Sequence, residues 1–185
     1  MRTIPRLLAA SAASLLGLGA ALAGAGAAHA QGTVTFDSPS SFSMSRDAAG
    51  LIYLDYDNRS GRDLSCAITV SNNALISALD SYVRGADDPI TAFTEVEDWP
   101  ADLQELADRA LEAGELNVGL SNVDAGHSGT MYIHDGTDFP MNTTFPLHGL
   151  SMCVDSDDPV EYVEFERGSG AGLSGSLGSL FGSAS

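Results

Sequence analysis

The chain has 185 residues, of which 25 are acidic and eight basic, none of them lysine, for a net charge of −17. Such a surface repels phosphate backbones and anionic lipid heads, which argues against a nucleic acid partner. Beyond the first 30 residues, no segment is long and apolar enough to span a bilayer as a helix.

Residues 1–30 read as a secretory signal peptide. Arg2 and Arg6 give the positive start, Leu7 to Leu22 form an apolar stretch, and Ala28-His29-Ala30 fits the small-x-small cleavage rule. The exported domain is expected to begin at Gln31. It then carries all 25 acidic residues against six arginines, a net of −19. That imbalance suits solubility in a salty exterior, cation binding or a cationic partner. The rest of the chain is long enough for one domain with a core of its own. Cys66 and Cys153 form the simplest pair for an oxidising exterior, one disulfide. It would close a loop of nearly ninety residues, which loop-closure entropy makes worth about 4–5 kcal/mol. No metal-type cysteine spacing is present.

In chain order, Thr33 to Phe36 reads as a short strand, and Ser38 to Arg46, with Phe42 and Met44 alternating, as a loop or edge strand. Leu51 to Asp57 reads as a strand. Turn residues Asn58 to Asp63 lead into Leu64 to Val70, where Leu64, Cys66, Ile68 and Val70 share one face. The pair predicts a hairpin. A helix follows, capped by Asn72 or Asn73, with Leu75, Ile76, Leu79, Tyr82 and Val83 on one face and Gly85 as its stop. Asp87-Asp88-Pro89 breaks the pattern. A second helix is expected to start at Asp98 with Pro100 in its first turn, bury Leu103, Leu106, Ala107, Ala110 and Leu111, and stop at Gly114. Glu105 and Arg109 form an i, i+4 pair on it. Strands follow at Glu115 to Leu120, at Thr130 to His134, within Thr144 to Val154, and at Val160 to Glu166. The three acids of the last predict an edge position.

The fold class is therefore α+β: a mostly antiparallel sheet or small β-sandwich, two helices inserted between strands, and one disulfide. A bridge from an early strand to a late one resembles the immunoglobulin-like sandwich, although Trp99 falls at a helix start rather than in a strand between the cysteines. The expected organisation is a signal peptide at 1–30, one compact domain at 31–167 and a Gly/Ser-rich flexible tail at 168–185. In that tail Leu173, Leu177, Leu180 and Phe181 would form one apolar stripe if it became helical on a surface or partner.

Several segments approach known chemistry without completing it. Gly126-His127-Ser128-Gly129-Thr130 is one residue short of a nucleophile elbow, and its flanks read as a loop entering a strand, not a strand entering a helix. Asp135 or Asp138 and His148 would supply the order Ser, Asp, His in too short a span. His127, His134 and His148 match no compact metal spacing. The run Asp55 to Gly61 departs from the calcium loop: Arg59 holds its fifth position, Gly61 its seventh and Cys66 its twelfth. An irregular calcium site using Asp55, Asp57, Asp155 or Asp157 is the one cofactor left open. Glu95, Glu97 and Asp98 beside Trp99 hint at a carboxylate-type sugar site. Asn58-Arg59-Ser60 and Asn142-Thr143-Thr144 are sequons to which no role is given.

No catalytic constellation emerges. The sequence points to a small secreted, non-enzymatic binding or interaction protein at or near a bacterial cell envelope, without a membrane-spanning segment in its mature part. A serine-type or carboxylate-type hydrolase and a calcium-dependent extracellular structural protein are the alternatives.

Overall fold

Period-two alternation makes the strands, but each strand's two faces meet different neighbours, and this decides how the sheet bends. The computed structural model describes residues 32–36, 38–46, 52–133 and 146–170, with residues 46 and 131–133 described by their backbone. Residues 1–30, which hold the expected signal peptide, His134, Asp135, Asp138, Asn142 and the tail positions Leu173, Leu177, Leu180 and Phe181 lie outside the described residues.

Eight strands are present among the described residues: β1 (Thr33–Thr35), β2 (Ser41–Arg46), β3 (Ile52–Asp57), β4 (Leu64–Ser71), β5 (Asn117–Val123), β6 (Ser128–Ile133), β7 (Leu147–Asp155) and β8 (Tyr162–Gly170). They form one sheet in the order β5-β4-β7-β8-β2-β3-β6, with β1 also paired to β8. β1 and β2 run parallel to β8, and the remaining pairs are antiparallel. The two ends of that order, β5 and β6, are consecutive in sequence and joined by a tight turn at residues 124–127. The sheet therefore curls until its ends meet. It is a nearly closed barrel-like sheet, not a sandwich.

The inner face of the curl buries Phe42, Met44, Ile52, Leu54, Tyr56, Leu64, Cys66, Ile68, Val70, Val123, Leu147 and Cys153. Gly149 and Gly168 are cross-strand partners there, and a Cβ on them would lie 2.7 and 2.5 Å from ring carbons of Phe42. Only a pair of glycines admits that ring. Cys66 and Cys153 face each other across β4 and β7 and are bonded, at a sequence separation of 87. The expected disulfide is thus present, but it links neighbouring strands of one sheet instead of two packed sheets.

Helices cover the outer face of β4, β7 and β8. In α1 (Asn73–Gly85) the Asn72 side chain accepts from Leu75 N–H, and Leu75, Ile76, Leu79 and Val83 are buried. The break at Asp87-Asp88-Pro89 turns out to be a start: Asp88 caps α2 (Pro89–Thr94) by accepting from the Ile90 and Thr91 amides. A 3₁₀ turn (Val96–Asp98) then leads to α3 (Ala101–Glu112), which buries Leu103, Ala107 and Ala110. Asp98 belongs to the 3₁₀ turn and does not cap α3, so among the described residues three α-helices stand where two were expected. These helices pack on Ala67, Leu150, Met152, Val154, Val163 and Phe165. Phe165 stacks on Phe36 at 5.1 Å and meets the edge of Phe93 at 5.8 Å.

Two further expectations are corrected. β3 and β4 form no hairpin: β3 pairs with β2 and β6, and β4 with β5 and β7. Residues 58–63 instead cross one end of the barrel. β8 is central rather than an edge, because its acids have internal donors. It runs to Gly170.

Candidate functional site

Three polar arrangements stand out against these apolar layers. The first is inside the barrel. Glu164 lies on the inner face of β8, opposite Cys153, and is completely buried. The Tyr56 hydroxyl donates to its Oε1 at 2.5 Å, and the Tyr162 hydroxyl donates to its Oε2 at 2.6 Å. Two charge-assisted hydrogen bonds replace the water the carboxylate has lost. Burial first, and then the Glu164 carboxylate, raise the pKa of both phenols above the usual tyrosine value. Glu164 and Tyr56 are sealed from solvent, and the group ties β3 to β8 in one register.

The second arrangement closes one end of the barrel. Asn58, also fully buried, donates from Nδ2 to the carbonyls of Arg62, Val123 and Asp124, while its Oδ1 accepts from Ser60 N–H and Oγ. Its backbone bonds to Gly126 and His127. Every polar group of Asn58 is used internally, so the sequon there is closed to modification in the folded chain. Arg62 donates to Asp155 at 2.6 Å and to Glu161 at 3.1 Å, and its guanidinium sits over the Tyr162 ring at 5.1 Å. Arg62 and the amides of Asp157 and Asp158 hold the Asp155 carboxyl below the usual carboxylate range.

The third arrangement is a surface. The helices cover the β4–β7–β8 side and, among the described residues, leave the outer face of β2, β3 and β6 open. Period two brings Ser41, Ser43 and Ser45 of β2, Asp55 and Asp57 of β3, and Ser128 and Thr130 of β6 onto that face. Asp55 accepts from the Thr130 hydroxyl at 2.8 Å, and Asp57 pairs with Arg59 at 2.6 Å.

The residues singled out from the sequence are dispersed. Ser128 donates to Asp57 at 3.4 Å rather than to an imidazole. His127 has its Nδ1 against the Ala125 carbonyl. His148 sits four strands away from Ser128 in the sheet order, on β7, where burial and then Arg167 lower its pKa. Gly126, at φ 72°, belongs to the β5–β6 turn, and a strand follows it, the reverse of an elbow. Asp155 is committed to Arg62, and Asp55 to Thr130. Among the described residues no three His, Cys, Asp or Glu side chains converge as metal ligands. Trp99 is buried in the helical layer with its Nε1 donating to the Ala92 carbonyl at 2.9 Å, so it offers no ring to a sugar.

Sequence reasoning missed Tyr56, Glu164, Tyr162, Asn58 and Arg62 as a set. One signal was available. Glu164 lies between Val163 and Phe165, and an acid framed by core residues on a two-sided strand needs internal donors. Among the described residues no helix is long and apolar enough to cross a membrane. That and the disulfide are compatible with an extracellular location.

No protein-family model matches the chain, and no curated protein matches it.

Proposed function

We propose that this is a small exported, non-enzymatic binding protein acting at or near a bacterial cell envelope, and that it binds through the outer face of β2, β3 and β6. One observation carries this reading: a three-strand face, paved with hydroxyls and carboxylates, is the side of the sheet that no helix among the described residues covers. Such groups are arranged to hydrogen-bond a polar partner without rearranging the fold. The barrel interior, by contrast, is filled with side chains, so the ligand is expected on the surface rather than in the curl.

Co-sedimentation with isolated envelopes tests the idea. The full chain is compared with Ser43→Trp, which blocks the centre of the face at an exposed position, and with a chain stopping at Gly170. That stop keeps β8 intact, which a stop at Arg167 does not. The full chain should pellet with envelopes and Ser43→Trp should stay in solution, with an unchanged melting temperature. Loss of pelleting only on removal of 171–185 would move the docking role to Leu173, Leu177, Leu180 and Phe181. A full chain that never pellets would end the envelope reading.

A further inference from the structure

We propose that the free edge of β5 is an acceptor for an added strand, and that its occupant is an extended, arginine- or lysine-bearing segment of a partner protein. This edge is a different surface from the β2–β3–β6 face, and its occupant does not depend on what that face binds.

The argument begins with the interruption in the barrel. The sheet order ends at β5 on one side and β6 on the other, and no ladder joins the two among the described residues. Near the turn they are close, since a Cβ on Gly129 would meet the Val123 side chain at 2.9 Å. Asn58 ties that end of the seam shut through its bonds to Val123, Asp124, Gly126 and His127. Above it, no strand among the described residues pairs with the second side of β5, which presents a row of main-chain donors and acceptors.

Exposed edges of this kind are normally blunted by a charge, a proline, a bulge or short length. β5 has none of these. It is seven residues long, Asn-Val-Gly-Leu-Ser-Asn-Val, and its register against β4 is unbroken from Asn117 to Val123. At its centre stands Leu120, which at 47% exposure is the one exposed large apolar residue among those described. Leu120, Ser121 and Asn122 line an open depression with Ser65 and Cys66. An unpaired edge supplies affinity through the main chain, and an apolar anchor beside it supplies register.

Charge selects the occupant. Glu115 precedes the neutral stretch and Asp124 follows it, while Asp55 and Asp57 lie on the strand beyond β6. A chain whose exported part carries a net −19 is repelled by its own copy and attracts a basic segment.

The test uses the full chain and three peptides of equal length: alternating Arg-Val, the same peptide with a central proline, and alternating Glu-Val. Backbone amide exchange locates the binding, and fluorescence anisotropy measures it. The Arg-Val peptide should protect the amides of Asn117–Val123. The proline peptide, with the same charge but a broken ladder, should bind about tenfold more weakly or worse, as should Leu120→Asp against the intact peptide. Because Leu120 is already exposed, Leu120→Asp should leave the melting temperature unchanged. The proposal fails if the proline peptide binds equally well, if the Glu-Val peptide binds as well as Arg-Val, or if protection appears elsewhere. It also fails if these amides are already protected in the free monomer, which would mean that the chain fills its own edge, or if concentration alone protects them, which would make the occupant a second copy.

Discussion

The two faces of the central strands are built on different physics. Outward, β4, β7 and β8 meet the helices in a layer of Leu, Ile, Val, Phe, Met, Ala and Trp, where the buried indole N–H has found a helix carbonyl. Inward, the same strands close a barrel whose apolar lining is interrupted by a disulfide, a carboxylate held by two phenols and, at one end, an amide bonded on every side. The helical layer gains by area and tolerates changes of shape at the expense of cavities. The barrel is short, strongly curved and, among the described residues, lacks a final ladder at the seam, so it relies on specific links between strands that no neighbouring layer enforces. Where hydrophobic burial cannot set register, cross-links and satisfied polar groups do so.

Breaking the staple should have the largest effect on this contrast. Replacing Cys66 and Cys153 by alanine frees a long loop in the unfolded chain and should destabilise by about 4–5 kcal/mol. Denaturant midpoints with and without reductant check it: the wild type in reductant should approach the variant. Next comes Leu79→Ala in α1, fully buried in the helical layer. It should lose about 2–5 kcal/mol through transfer and cavity terms alone, with no pH dependence of its own. The two sets of substitutions lie in different layers and should be additive within about 0.5 kcal/mol. Marked coupling between them would show that the layers are not independent.

Tyr56→Phe sharpens the contrast from the other side. It deletes one hydroxyl, yet leaves Glu164 Oε1 without that donor in the barrel interior, and should destabilise by about 1.5–3 kcal/mol near neutral pH. Its effect should reverse with alkali. Both phenols titrate above their usual value of 10.0 in the fold, so the neutral form is favoured there. The stability linked to them is complete below about pH 10 and is lost as pH rises toward the folded value, because the unfolded chain releases its protons first. The wild-type melting temperature should therefore fall steeply above about pH 10, and Tyr56→Phe should fall less. Tyrosinate absorbance followed through the melt reports whether Tyr56 and Tyr162 ionise only on unfolding.

Much of the local architecture was legible in the chain. Alternation at Leu64–Val70 and helical spacing at Leu75–Val83 each reported a face, and the isolated cysteine pair reported a bond. What alternation does not report is the neighbour on the far side of each face. The segment 58–63 has the chemistry of a hairpin turn, yet Asn58 bonds across the seam to the β5–β6 turn, and only a curled sheet brings those carbonyls within reach. The acids of β8 resemble edge protection until Tyr56, from a strand 108 positions away in sequence number, is seen to satisfy one of them. Short-range rules also misjudged Asp88-Pro89, because a helix breaker in one turn is a helix cap for the next. For the candidate site the gap is wider. The open face and the β5 edge are defined by what fails to cover them, a property of the assembled sheet and of no single segment.

The smallest effect is expected at the barrel end, where polar links reach solvent. Asp155 titrates below its usual 3.8 because Arg62 donates to it and the Asp157 and Asp158 amides add to that. A carboxylate with a depressed folded value contributes stability that is fully present above about pH 5 and is lost as pH falls through that value, since the unfolded chain binds the proton first. Asp155→Asn should leave the interior and the helical layer intact and flatten the acid limb of the stability curve below about pH 4, with little change at pH 7 beyond the loss of one partly exposed ion pair. Melting curves between pH 2 and pH 7 in low and high salt distinguish this from a larger role. If salt abolished the difference, the link would be a screened surface pair. If the variant instead lost stability evenly at every pH, the clip would be a structural part of the barrel of the same rank as Glu164 and its two tyrosines, and the division between a polar interior and a merely trimmed end would no longer hold.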